Sequence, residues 1–301
     1  MSAQLILLAC LDGIAYAALV FMVAVGLTLI FGVLRILNVA HGSFYAVGAY
    51  TAASLGLGIA AAGLSPWLTF PALLLSAALV GGALGVLIER QLLRRVYVKE
   101  EVLQLLVTFA VFMILEDVQR LIWGVQPYFA DMPLRLLGTL QVGGVYYTRY
   151  QLLLLPAAAL LTLLWLRWFL RRTLQGRLIM AVTEDPEMAT AVGIDANRVY
   201  TVTFVIGACL AALGGALASP TTSLVPGIGT DMIVLSFAVV ATAGLGQVEG
   251  AAVTALFIGL GRSLAVYMAP ELEVLVPYLI MMVVLLLRPQ GLFGAAAVRR
   301  I

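Results

Sequence analysis

The chain alternates long apolar runs with short polar breaks. Apolar runs occupy positions 5–31, 43–63, 67–88, 102–123, 150–170, 200–219, 232–246, 251–268 and 275–287. About 20 apolar residues in a helix cross the hydrocarbon core of a bilayer. In lipid each backbone N–H and C=O must be satisfied within its own segment, so these runs predict helices. The alternating pattern of a membrane barrel is absent. The expected fold is an all-α, polytopic transmembrane bundle forming one domain over residues 1–301. The run at 232–246 is short and glycine-rich at its end, which predicts a re-entrant piece or a tight hairpin with the next run. Eight or nine crossings follow.

Composition agrees with a lipid environment. Hydrophobic residues make up 63% and charged residues 11%, against about 25% charged in a soluble domain. A net charge of +2 is too small to point to nucleic acid. The basic residues cluster between the runs and act as topology signals. If the C-terminus is cytoplasmic and all nine runs cross, 13 of the 17 basic residues fall on the cytoplasmic side. Arg120, Arg135, Arg149 and Arg262 remain. No Lys or Arg precedes Arg35, so the first run is expected to be a retained span rather than a cleaved signal, which would begin with positive charge. Cys10 and Cys209 lie in apolar runs and read as small packing residues, and His41 is the only histidine, so no metal site is expected.

Two loops are long. Residues 124–149 fall outside the membrane and hold Pro127, Asp131, Pro133 and a Gly143-Gly144 pair, which suits a surface loop with a short lid or strand-like piece. Residues 171–198 fall in the cytoplasm. There Thr183 or Asp185 can cap a helix, Pro186 suits its first position and Glu187 its positive end. The helix is expected to run through Val192 and stop at Gly193. Its small side chains would let another protein approach closely. It is equally readable as a solvated connector.

Ionisable groups within spans are costly and therefore candidates for function. Arg35, Asn38 and His41 fall where the first two runs meet, with Gly42 beside them. They predict either a broken-helix element on the substrate path or a turn whose backbone the side chains satisfy. Arg262, inside the eighth run, either snorkels to the interface or faces the path, where it would bind a carboxylate. Arg120 follows Glu116 by four and Asp117 by three, the spacing of an ion-paired helix face. Gly81 with Gly85 and Gly246 with Gly250 have the spacing of close helix contacts.

Three stretches resemble the permease subunits of branched-chain amino acid ABC importers: GLTLIFGVLRILNVAHGSFYAVGAY, GRLIMAVTEDPEMATAVGID with ACLAALGGALASP after it, and VPYLIMMVVLLLRPQGLFG. The resemblance covers nearly the whole chain. It implies that the cytoplasmic helix couples to an ATPase, with Arg177, Asp185, Ala189, Gly193 and Ile194 at the matching positions. Glu187 followed by Met188 and Ala189 departs from the Glu-Ala-Ala form of other ABC importers. It further implies two cytoplasmic ATPase subunits, a second related permease chain and an extracytoplasmic substrate-binding protein, in a bacterial inner membrane. Branched-chain amino acids, urea, amides and related small solutes are all within the family's range. The residues themselves exclude ATP binding here, since Lys99 is the only lysine and no glycine-rich phosphate cradle precedes it. ATP would be bound by partner subunits, and no cofactor or enzymatic motif is present in the sequence. An ion-coupled secondary transporter is the competing reading, weakened by the scarcity of acids in the later spans.

Overall fold

The computed structural model describes residues 3–97 and 99–294. Arg299, Arg300 and the C-terminus itself lie outside the described residues. Each of the nine apolar runs is helical. In chain order the helices are α1 (Ala3–Leu34), α2 (His41–Ala61), α3 (Thr69–Leu79), α4 (Gly85–Gln91), α5 (Glu101–Trp123), α6 (Met132–Leu137), α7 (Leu155–Arg172), α8 (Leu174–Glu184), α9 (Pro186–Ala191), α10 (Ala196–Ala218), α11 (Ile228–Ala243), α12 (Val248–Met268) and α13 (Leu275–Leu287). A π-turn, Val80–Leu84, joins α3 to α4, so the third run is one interrupted span. Six helical stretches among the described residues are long and apolar enough to cross a bilayer, and Ile228–Ala243 and Leu275–Leu287 are shorter apolar helices.

The loop between α5 and α7 is more ordered than its composition suggests. It forms α6 and an antiparallel hairpin of β1 (Thr139–Val142) and β2 (Val145–Thr148), turned by Gly143 and Gly144. Tyr128 and Leu224 exchange backbone hydrogen bonds of 2.9 Å, tying this loop to the segment before α11.

Helices α1, α2 and α10 form the centre. Lipid tails are as apolar as leucine, so in a membrane helices associate through close packing rather than through exclusion of water. Small residues supply that closeness. Gly26 lies against Gly207, Gly13 and Ala17 against Gly259 and Leu260, and Gly81 and Gly85 against Cys209 and Ala208. The apolar faces of α5, α7 and α13 stay exposed on the chain.

The connection between α1 and α2 is not a tight turn. Arg35 adopts a left-handed φ of 56° and reverses the chain, a conformation that costs a non-glycine residue about 1 kcal/mol. Residues 36–40 are not helical, and α2 begins at His41, whose Nε2 lies 3.0 Å from the carbonyl oxygen of Val23. Val23 is twelve residues before Arg35 on α1, or roughly 18 Å along the axis at 1.5 Å per residue. Residues 38–41 close a turn through the bond from His41 N–H to the Asn38 carbonyl, and the His41 side chain supplies part of the reach. The chain therefore turns back toward α1 and starts its second helix inside the bundle.

Helix α11 has a matching start. Gly227, at φ 99°, ends the descent from α10, and the first turn of α11 meets the first turn of α2. Gly42 and Gly229 touch backbone to backbone there. A Cβ on Gly229 would lie 2.8 Å from the Gly42 carbonyl oxygen, closer than real side chains come. The short seventh run is thus a half-helix that begins inside the bundle and ends at Gly244.

Candidate functional site

The segment between α7 and α10 is built from consecutive caps. Thr173 Oγ1 accepts from Gly176 N–H at 3.0 Å and starts α8, a helix that the sequence reading had not separated from its neighbours. Asp185 Oδ1 accepts from Met188 N–H at 2.9 Å and starts α9, with Pro186 at its first position. At the other end the N–H groups of Ile194 and Gly193 donate to the carbonyls of Ala189 and Thr190, each at 3.0 Å, while Gly193 takes a φ of 92°. This is a Schellman closure. The positions matched by resemblance thus divide by task. Asp185, Gly193 and Ile194 define the ends of α9. Arg177, Asp185 and Glu187 are exposed.

Ala189 is 4% exposed and packs into the chain's own core. The face that α9 turns outward carries Met188 and Val192, 61% and 70% exposed. Small size at position 189 lets α9 sit flat on the bundle, and the larger apolar neighbours stand free. At the start of this region Arg167 and Arg171 reach Glu249 at 3.6 and 3.0 Å, clamping the end of α7 to the start of α12.

Asn38, His41 and Gly42 come together at the base of α2, and all are buried. The non-helical backbone beside them is satisfied by Thr108 of α5. Its hydroxyl accepts from Val39 N–H at 3.4 Å and directs its proton to the carbonyls of Leu37 and Leu105, at 3.2 and 2.9 Å. Irregular backbone at membrane depth survives only where protein supplies such partners. Both side-chain amide atoms of Asn38 lack a partner, as does His41 Nδ1. Thr108 was missed from sequence. Its signal is the polar spacing of Gln104 and Thr108, four apart in an apolar run and both buried.

Arg262 is distant from this group. It pairs with Glu273 and stacks 4.0 Å over the Tyr16 ring. Asp12, in the N-terminal third of α1, accepts from Tyr147 of the hairpin and Tyr267 of α12. Burial and the Asp12 carboxylate push the Tyr147 hydroxyl above its usual range, so it stays a donor. A second missed residue is Glu89, 0% exposed. It accepts from Tyr97 at 2.9 Å and Thr201 at 2.6 Å, joining α4, the following loop and α10. Burial and Glu89 likewise raise the Tyr97 hydroxyl. Glu116 and Asp117 pair with Arg120 at 2.5 and 3.3 Å on one face of α5, as their spacing predicts.

Comparison with known proteins places these features. The profile of the family described as "Branched-chain amino acid transport system / permease component" matches residues 9–285. The chain is 27% identical over 297 residues to the high-affinity branched-chain amino acid transport system permease protein LivH of Salmonella typhimurium, covering 96% of each chain. It is 27% identical over 301 residues to the corresponding permease BraD of Pseudomonas aeruginosa, again covering 96% of each. A probable LivH permease of Methanocaldococcus jannaschii is 27% identical, with 93% of this chain and 90% of that one covered. In three dimensions the chain is similar to PsaBC from Streptococcus pneumoniae, solved in complex with Fab, at a TM-score of 0.50 and 14% identity over 93% of this chain and 91% of that one, a likeness of fold alone. With the family profile spanning nearly its whole length, this multi-pass membrane protein belongs to the permease components of branched-chain amino acid ABC transport systems.

Proposed function

We propose that the chain forms half of the path by which a branched-chain amino acid enters a bacterial cell, driven by ATPases that dock on α9. The capped helix between α7 and α10 carries this reading. It lies on the side rich in arginine, it is fixed at both ends, and it presents Met188 and Val192 to a partner. Membership of the family implies ATPase and binding-protein partners. In the arrangement proposed here there are two cytoplasmic ATPase subunits, a second related permease chain and an extracytoplasmic binding protein. The C-terminus and α8–α9 are cytoplasmic and the hairpin is outside, in line with the distribution of basic residues. Arg177, Asp185, Glu187, Ala189, Gly193 and Ile194 form the coupling element, with Ala189 and Ile194 seating it and the exposed residues meeting the ATPase. Arg262 lines the path. Asn38, His41 and Gly42, being buried, frame it from behind where α2 meets the half-helix α11.

The test is purification of the tagged chain from native membranes, identification of what comes with it by mass spectrometry, and reconstitution of the whole into proteoliposomes. Co-purifying ATPases and leucine uptake that requires ATP are expected. A chain that purifies alone and moves solute down an ion gradient without ATP would overturn the reading.

A further inference from the structure

Between α1, α12 and the start of α7 opens a 330 Å³ cavity whose wall bears both signs of charge. Volumes of this size suit a small organic molecule. Arg262, its partner Glu273 and Asp12 all line it. Arg262 stacks on Tyr16, which lies one helical turn from Asp12 on α1, so the cation and the anion belong to neighbouring turns of one wall. Ser263 also lines the cavity. It is 3% exposed and its hydroxyl has no hydrogen-bond partner.

The groups that hold each other in place have capacity left. A guanidinium has five N–H donors and a carboxylate about four acceptor positions. Arg262 gives one hydrogen bond to Glu273, and Asp12 accepts one on each oxygen. Charges at a membrane protein's interior are expensive, and an apolar pair of the same shape would fasten two helices as well. Leu19, Leu155 and Val266 give the wall an apolar part, and Gln151, Thr221 and Thr222 add uncharged polar groups.

We propose that this cavity is a station for an α-amino acid zwitterion on the import path. Arg262 takes the carboxylate, Asp12 takes the ammonium group, Ser263 completes the polar contacts and the apolar part of the wall receives an aliphatic side chain. The proposal rests on the permease reading above and adds the place and polarity of substrate contact. It also explains why three ionisable side chains share one cavity in a chain so poor in them.

The experiment uses the whole importer complex in nanodiscs, purified without its binding protein, and saturation-transfer NMR with three probes. These are leucine, leucinamide, which lacks the carboxylate, and 4-methylpentanoate, which lacks the amine. Leucine is expected to give transfer at a concentration at least tenfold below either analogue, and Arg262→Gln to remove that preference for leucine over leucinamide. Arg262→Lys, which keeps the charge, should recover part of it. Should Arg262→Gln prevent assembly, the double variant Arg262→Gln with Glu273→Gln keeps a neutral pair in place and serves for the same comparison. Equal transfer from all three probes, or a leucine preference unchanged in the assembled variants, would overturn the proposal and leave Arg262 as a helix fastener. ATP-driven leucine uptake by the unaltered complex, reconstituted into proteoliposomes with its binding protein, is measured alongside. If it is present while the NMR preference is absent, the station falls and the permease stands; if it is absent, the permease reading itself falls.

Discussion

His41 contacts the carbonyl oxygen of Val23 at 3.0 Å, about two-thirds of the way along α1, although only 18 residues separate them in sequence. That single distance fixes the depth at which α2 begins. It requires the chain to return into the bundle after Arg35, and it sets the level at which Gly42 meets Gly229. Replacing His41 with Ala removes a fully buried ring and its hydrogen bond, so a cavity and an unmade bond act together. A loss of about 2–4 kcal/mol is expected, read as a lower midpoint in SDS-induced unfolding of the purified chain. An unchanged midpoint would mean that the start of α2 is held by other contacts.

Thr108 tests the backbone side of the same element. Valine has nearly the shape of threonine but neither donates nor accepts. Thr108→Val would leave the Val39 N–H and the Leu37 carbonyl without their side-chain partner and cost about 1–3 kcal/mol. Thr108→Ser should recover most of this. If valine and serine behave alike in the unfolding titration, the segment draws its partners from elsewhere.

The starts of α2 and α11 depend on a contact that no side chain can enter. Gly229→Ala would place a methyl group 2.8 Å from the Gly42 carbonyl oxygen, and neither backbone can retreat without moving a helix end. Overpacking of this sort costs about 1–3 kcal/mol. The same substitution at Gly56, which has open space around it, should cost far less, and a comparison of the two thermal midpoints in detergent separates crowding from the general effect of losing glycine.

Helix existence was legible from apolar runs because lipid leaves helices as the only option for single segments. The α9 caps were legible too, since Asp185-Pro186 and Gly193 act through their own neighbours in sequence. The return of residues 36–40 was not. It is stabilised by Thr108, 70 residues after Asn38, and by a helix that local patterning places only as another apolar run. The same limit hid Glu89, whose partners Tyr97 and Thr201 come from a loop and a distant helix. Arg262 was visible as a charge in a span, but its partner Glu273 belongs to the next turn and Asp12 to the far end of the chain. Ala189 shows the opposite case. Its smallness suggests room for another protein, whereas the surface that approaches is the chain's own.

Glu89 joins three elements, so its removal should be felt in each. In Glu89→Ala the hydroxyls of Tyr97 and Thr201 lose their acceptor in a buried site, at about 1–3 kcal/mol each. Glu89→Gln retains an acceptor oxygen and should be milder. Hydrogen exchange by mass spectrometry gives the regional readout. Faster exchange is expected around residues 93–97 and at the start of α10, with the β1–β2 hairpin unchanged.

The exposed face of α9 offers the sharpest test of coupling, because stability and docking can be separated there. Asp185→Ala removes the cap and should loosen α9 by about 1 kcal/mol. Ala189→Trp forces a large ring into a core position and should prevent α9 from seating on the bundle, abolishing uptake while the chain still inserts. Neither variant distinguishes a misplaced helix from a missing contact. Met188→Asp does, since Met188 is 61% exposed and its loss leaves the chain's own packing intact. It places a charge in a face expected to be covered by the ATPase. A weakening of docking by about 1.4 kcal/mol would lower ATPase affinity tenfold. The expected result is a thermal midpoint like that of the unaltered chain, with ATP-driven leucine uptake reduced by about that factor at limiting ATPase. Normal uptake in Met188→Asp and in Val192→Asp alike would show that the partner docks on some other surface.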